Sequence, residues 1–206
     1  MKTKVCGMRN SQNIKEIVEC QPDFIGFIFY EKSPRYAGEL DEETLKNIPQ
    51  KIKKIGVFVD ENIEKIVNIA AHYQLDGIQL HGNETPEMCR KIKAGQLLCI
   101  KTFGIEQTND FDKTTEYESI TDYFLFDTKT LVYGGSGKKF DWSLLNRYQG
   151  KTPFFLSGGI SVEDGEWIKQ LTHNQLFGID INSRFEIEAG TKDVDLVKRF
   201  IDSMRN

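Results

Sequence analysis

Apolar residues along this chain collect into short β-branched and aromatic runs, and between the runs they recur every three or four positions. Eight runs stand out: KVCG, DFIGFIF, KKIGVFV, DGIQLHG, LLCIKTF, YFLFDTK, PFFLSGG and LFGIDIN. Several are apolar on successive residues instead of alternating, the pattern of parallel strands covered on both faces. The stretches between them read as helices. Asn62 to His72 sets Ile63, Ile66, Val67 and Ala70 on one face, and Val194, Val197, Phe200 and Ile201 repeat that spacing near the C-terminus. Thr85-Pro86 offers an N-cap followed by proline in the first turn, and Ser161 to Asp164 has the form of a capping box.

The predicted strands end near Cys6, Phe29, Val59, His81, Lys101, Asp127, Ser157 and Asp180. Those ends fall roughly 20 to 30 residues apart, the period of one βα unit. Eight such units predict an α/β fold, a single (β/α)8 TIM barrel spanning residues 1–206. An open doubly wound sheet would need a glycine-rich fingerprint after the first strand, and Gly7-Met8-Arg9 is not one. In a barrel the chemistry belongs to the C-terminal strand ends and the loops that follow, which puts Cys6 on the active face.

Composition removes several function classes. The 206 residues carry a net charge of -4, with acidic and basic side chains interleaved and no Lys/Arg block, so no nucleic-acid partner is expected. Apolar runs such as Phe24 to Tyr30 fall far short of the roughly 20 residues a membrane span needs. The opening Met1-Lys2-Thr3-Lys4-Val5 leaves no room for a secretory signal, so a cytoplasmic protein is expected. Cys6, Cys20, Cys89 and Cys99 have neither zinc-site spacing nor the density of a disulfide scaffold, and they read as free thiols. Nothing in the sequence asks for a metal or an organic cofactor.

Anion-binding features collect at the last two strands. Strand seven runs into Ser157-Gly158-Gly159 and a helix, and strand eight ends in Asn182-Ser183-Arg184. Glycines let the backbone approach a ligand, and helix N-termini favour anions, so these six residues form the expected phosphate site. The loop from Tyr133 to Lys139 resembles a P-loop only superficially, because a Walker motif follows its strand directly and places Ser or Thr after the lysine. It reads instead as a flexible loop over the site, with Gly135 a candidate substrate contact.

Taken together, KVCGMR at the start, SPRYA from Ser33, GVFV from Gly56, QLHG from Gln79, Asp127, GGSGKKFDW from Gly134, LSGGI from Leu156 and GTKD from Gly190 resemble the phosphoribosylanthranilate isomerase family. The resemblance implies an Amadori rearrangement in tryptophan biosynthesis, by acid–base catalysis without a cofactor. An acid protonates the ribose ring oxygen, and a base then takes the proton from the adjacent sugar carbon. By resemblance the base is Cys6 and the acid Asp127, while Arg35 binds the anthranilate carboxylate through its guanidinium fork. His81 stands at the same rim and is a candidate contact; His72 and His173 receive no role. Such a base would be helped by positive charge lowering its ionisation below the free value near 8.5. Such an acid would be helped by an apolar surround, for which Phe124 and Phe126 are candidates.

Two positions depart from the family pattern. Arg184 stands where the family often has glycine, so a positive φ there would be costly, or else the side chain adds a cation beside the phosphate. Ala189 replaces the usual proline before Gly190. The nearest rival is a histidine-pathway sugar isomerase, which uses two aspartates, and Cys6 argues against it. A barrel that binds a phosphometabolite without turning it over is the rival from another class. The expected partner is a small phosphorylated substrate, and the expected assembly a monomer or homodimer.

Overall fold

The runs read as strands are strands, and they run parallel. The computed structural model describes residues 1–129 and 139–205. Strands β1 (Lys2–Val5), β2 (Phe24–Ile28), β3 (Lys53–Phe58), β4 (Gly77–Leu80), β5 (Leu98–Ile105), β6 (Tyr123–Thr128), β7 (Phe154–Leu156) and β8 (Leu176–Ile181) close into a barrel in chain order. Strand β1 pairs with both β2 and β8, so no edge is left open. Free thiols are found at all four cysteines, each of them buried.

Helices α1 (Ser11–Glu19), α2 (Glu42–Lys46), α3 (Ile63–His72), α4 (Pro86–Ala94), α5 (Gly165–Lys169) and α6 (Val194–Arg205) cover the outside. Their starts follow the local chemistry. Asn62 caps α3 by accepting from Glu64 N at 2.7 Å, and Thr85 caps α4 ahead of Pro86. The expected capping box from Ser161 to Asp164 is present, opening a short 3-10 turn ahead of α5. On α3 the expected face is only partly buried: Ile66 and Ala70 are sealed, but Val67 is 46% exposed. The crossovers after β5 and β6 are 3-10 helices, Thr108–Tyr117 and Trp142–Arg147, where α-helices were expected. Among the described residues, no helix is long and apolar enough to cross a membrane.

Alternation along the strands separates two cores. Outside the barrel, residues such as Val5, Phe58, Phe126 and Ile179 pack under Ile14, Ile66, Cys89 and Phe200 of the helices. Inside, Phe24, Ile55, Ile100, Leu125 and Phe155 plug the end where the strands begin, joined by Leu98, Tyr123 and Phe177. Phe24 meets Phe155 edge to face with centroids 5.2 Å apart. The plug seals one end, so only the other is left to receive a ligand.

Strand β8 does not keep a simple alternation. Phe154 pairs with Leu176 but Phe155 with Gly178, so one residue of β8 is extra at that point. The slip lets Phe177 join the plug while Asp180, three residues on, also faces inward beside its register partner Lys4.

Lys101, expected at the end of β5, lies mid-strand and points outward. Its ammonium donates to Glu84 at 2.9 Å and to the Gly82 carbonyl at 2.8 Å. Glu84 also accepts from the backbone of Asp60 and Gly82. This buried pair fixes the loop that follows β4.

Candidate active site

At the C-terminal ends of the strands the barrel opens into a cavity of about 360 Å3. Cys6, Arg35, His81, Asp127, Ser157, Gly158, Gly159, Asn182 and Ser183 all line it. Most of the residues named from sequence therefore converge on one space. Arg184 does not line it: the residue is exposed, in the 3-10 turn Ser183–Phe185, and its φ is not positive, so the feared backbone strain does not arise. Gly135 lies outside the described residues.

Cys6 follows β1 directly, its N–H continuing the ladder to the Ile181 carbonyl at 3.0 Å. The side chain points into the barrel beside Gly26 of β2. A Cβ on Gly26 would lie 2.8 Å from Cys6 Sγ and 3.2 Å from Lys4 Nζ, so glycine is the residue this crowding admits. Below the thiol, Lys4 donates to Asp180 Oδ1 at 2.8 Å, with side-chain exposures of 0% and 6%. Ser157 lines the cavity, but its hydroxyl is engaged inward with Asp180 Oδ2 at 3.3 Å. Burial raises the Cys6 thiol above its ordinary value; Lys4 pulls it down without offsetting that, and Asp180 pushes it further up. The expectation of a depressed thiol is thus corrected: cations are present, but burial outweighs them.

Asp127 sits at the inner face of β6, and its Oδ1 accepts from Thr128 N at 2.8 Å. Burial raises its carboxyl to about 7, against the lowering effect of the Thr128 N–H and with the Asp180 charge adding to the rise. The direction is the expected one; the cause is not. Phe124 and Phe126 alternate to the outer face, where Phe126 packs on Phe111, Tyr148 and Phe154. The barrel mouth itself, not the neighbouring aromatics, withholds water from the carboxyl.

His81 Nε2 lies 3.6 Å from Asp127 Oδ2. Its Nδ1 is 2.9 Å from the Gln79 side-chain amide, so it is held by a side chain and not by backbone. Burial, with the Lys101 and Lys4 charges, drops His81 to about 3. The imidazole is neutral across the neutral pH range.

Gly158 has φ +92° and Gly159 φ +63°, a left-handed pair after β7. A Cβ on Gly158 would lie 2.8 Å from Thr128 N and 3.0 Å from Asp127 Oδ1. Glycine is needed there for the acid as well as for the turn.

Arg35 is buried and gives its fork to Glu186, with Nε to Oε1 at 2.9 Å and Nη2 to Oε2 at 2.8 Å. Glu186 also accepts from Lys192 Nζ at 2.7 Å, and Lys192 donates to Asn182 Oδ1 at 2.7 Å. Burial opposes the Glu186 charge, but Arg35 and Lys192 hold it below the usual range. Lys192 belongs to a hairpin of β9 (Glu186–Glu188) and β10 (Thr191–Lys192) that the sequence reading did not foresee. Asn13 of α1 clamps the Lys192 backbone, donating to its carbonyl at 2.9 Å and accepting from its N–H at 2.8 Å. Lys4, Asp180, Gln79, Glu186 and Lys192 were missed as site residues. Inward alternation could have found Lys4 and Gln79, but the partners of Glu186 and Lys192 depend on tertiary contacts. Among the described residues, no three His, Cys, Asp or Glu side chains come together to hold a metal ion.

The cavity therefore pairs a carboxyl titrating near neutrality with a buried thiol, beside an arginine, the glycine turn after β7 and the polar end of β8. That arrangement suits proton transfers on a small anionic ligand. Comparisons with known proteins agree. The family model for N-(5'-phosphoribosyl)anthranilate isomerase matches residues 3–203. The isomerase of that name from Parabacteroides distasonis is 49% identical over 203 residues, covering 98% of this chain and 92% of its own. A crystal structure of phosphoribosyl anthranilate isomerase from Thermotoga maritima is 37% identical, covers 100% of this chain and 98% of its own, and superposes with a TM-score of 0.83. Another structure of such an isomerase, in complex with reduced 1-(o-carboxyphenylamino)-1-deoxyribulose 5-phosphate, gives a TM-score of 0.81 at 33% identity, with coverages of 100% and 98%. On the family match and these identities, this chain belongs to the N-(5'-phosphoribosyl)anthranilate isomerase family.

Proposed function

We propose that this chain converts N-(5-phosphoribosyl)anthranilate to 1-(2-carboxyphenylamino)-1-deoxyribulose 5-phosphate in tryptophan biosynthesis, with Asp127 as the acid and Cys6 as the base. The observation that carries the assignment is the pair itself: a carboxyl raised to about 7 and a thiol, from β6 and β1, opening into one cavity. Asp127 gives its proton to the ribose ring oxygen as the C–O bond opens to a Schiff base. Cys6 thiolate takes the proton from the adjacent sugar carbon, leaving an enolamine. That intermediate loses its hydroxyl proton and gains one at carbon, and a proton returned from Cys6 to solvent and from solvent to Asp127 resets the site.

Neutral His81, close to Asp127, contacts the substrate without adding a charge that would ionise the acid early. Arg35 meets the anthranilate carboxylate with the hydrogens Glu186 leaves over. Gly158, Gly159, Asn182 and Ser183 hold the phosphate, with Gly135 as a further contact; Arg184, outside the cavity, is given no contact with it. Ser157 supports that end through Asp180. We place the enzyme in the cytoplasm, as a monomer or homodimer; a Thermotoga maritima relative is described as dimeric.

The resting protonation is the reverse of what the chemistry uses. The thiol titrates above the carboxyl, so only a minority of molecules hold Cys6 ionised and Asp127 protonated together. The test is turnover of phosphoribosylanthranilate generated in situ, followed by loss of its fluorescence. Cys6→Ser and Asp127→Asn should each lose activity by orders of magnitude while retaining product-analogue binding. An inactive but folded wild type would overturn the reading in favour of a binding protein.

A further inference from the structure

The buried Lys4–Asp180 pair needs a reason to exist. A sealed ion pair is weak evidence of stability, because the cost of dehydrating both charges often cancels their attraction, and apolar residues of similar size can replace it at no loss. Here the apolar plug ends directly beneath the pair and could have continued through it. Instead β1 and β8 place an ammonium and a carboxylate at register-paired positions, 2.8 Å apart, the ammonium fully buried and the carboxylate at the cavity floor. Both the ammonium and the Cys6 sulfur crowd the same side of Gly26, within 3.2 Å of the point a Cβ there would occupy.

We infer that this pair sets the charge state of the proposed base: Lys4 supplies the fixed cation against which the Cys6 thiolate forms, and Asp180 anchors that cation while opposing the thiolate. Lys4 is then a positioning residue, acting on substrate only through the sulfur. Its own charge is secure, since burial works against it but Asp180 and Cys6 more than compensate. The other ionisable groups around the thiol are already committed. Lys192 is held by Glu186 and Asn182, Arg35 by Glu186, and His81 is neutral. Asp127 lies across the cavity at the end of β6. That leaves Lys4, one alternation below Cys6 on the same strand face, as the cation whose partner competes directly with the sulfur.

The two members of the pair should move the thiol in opposite directions, which a purely structural role would not produce. The experiment measures iodoacetamide alkylation of Cys6 against pH in the full chain, read from the mass of the Cys6-containing peptide so that Cys20, Cys89 and Cys99 do not contribute. Asp180→Asn should shift the titration down by about one unit and speed alkylation at pH 7 about ten-fold; Lys4→Met should shift it up and slow alkylation by a similar factor. Circular dichroism checks that each variant is folded. Should Lys4→Met fail to fold, the direction of the Asp180→Asn shift still decides. Titrations unchanged in both variants, or displaced in the same direction, would overturn the inference.

The inference rests on Cys6 being the base, but the two fail separately. If Cys6→Ser keeps full turnover while the alkylation profiles still diverge, the base assignment falls and the charge pairing stands. If Cys6→Ser is dead and the profiles coincide, the reverse holds.

Discussion

Replacing Asp127 by asparagine should inactivate the enzyme and at the same time make it more stable, in a way that depends on pH. The carboxyl titrates at about 7 in the folded chain, against about 3.9 in an unfolded one. The folded state therefore holds the proton more tightly, and stability declines as pH rises from about 4 to 7, where the penalty levels off. Three units correspond to about 4 kcal/mol at pH 8. Because the side chain retains 25% of its exposure, solvent screening trims this to roughly 2–3 kcal/mol. Asparagine keeps the oxygen that accepts from Thr128 N and cannot ionise, so the variant escapes the penalty. Urea unfolding at pH 8 should show that gain, equivalent to a rise in Tm of about 4–12 °C for a chain of this size. At pH 4 the two proteins should unfold together. A variant no more stable at pH 8, or equally stabilised at both pH values, would refute the argument that burial holds the acid protonated.

Because the thiol titrates above the carboxyl, the acid side of the kcat/KM profile should break near pH 7, where Asp127 titrates, and the basic side where Cys6 does; a pH–rate series in wild type reads both. Glu186→Gln removes the carboxylate that engages Arg35 and Lys192. With the fork no longer fixed, KM should rise about ten-fold with little change in kcat, the size of one lost charge-assisted contact. Gly158→Ala forces a side chain into a left-handed backbone and against Thr128 and Asp127; kcat should fall more than KM rises, with a stability loss of about 1–3 kcal/mol seen in denaturant titrations. Phe24→Ala opens a hole in the plug and should cost about 3–5 kcal/mol without moving the kcat/KM breaks.

The barrel was readable from sequence because parallel strands buried on both faces leave consecutive apolar runs, and eight of them at an even period close only one way. Strand ends were less secure. Lys101 followed an apolar run like the others, but β5 continues to Ile105, because the outer face of the strand hosts a buried ion pair with Glu84 that looks polar in sequence. Val67 fits the helical period, yet it sits at the border of the buried stripe on α3. The glycine turn after β7 was legible in the residues themselves, and Cys6 and Asp127 were singled out by the family resemblance. The hairpin that presents Lys192 could not. Its strands are three and two residues long, and its function lies in contacts with Asn13 and Arg35 from distant parts of the chain and with Asn182 just before it. The direction of the Cys6 shift was also hidden, since it depends on how deeply the barrel buries the sulfur relative to Lys4.

The extra residue in β8 serves the sealed end of the barrel without displacing the site above it. With Phe177 deleted, Leu176 would still pair with Phe154 and Gly178 with Phe155, so the ladder would become regular and Asp180 would stay beside Lys4. What would go is the ring packed on Phe24, Tyr123 and Phe155. The bulge therefore lets one strand send an aromatic ring to the floor and a carboxylate to the mouth from positions that strict alternation would set on opposite faces.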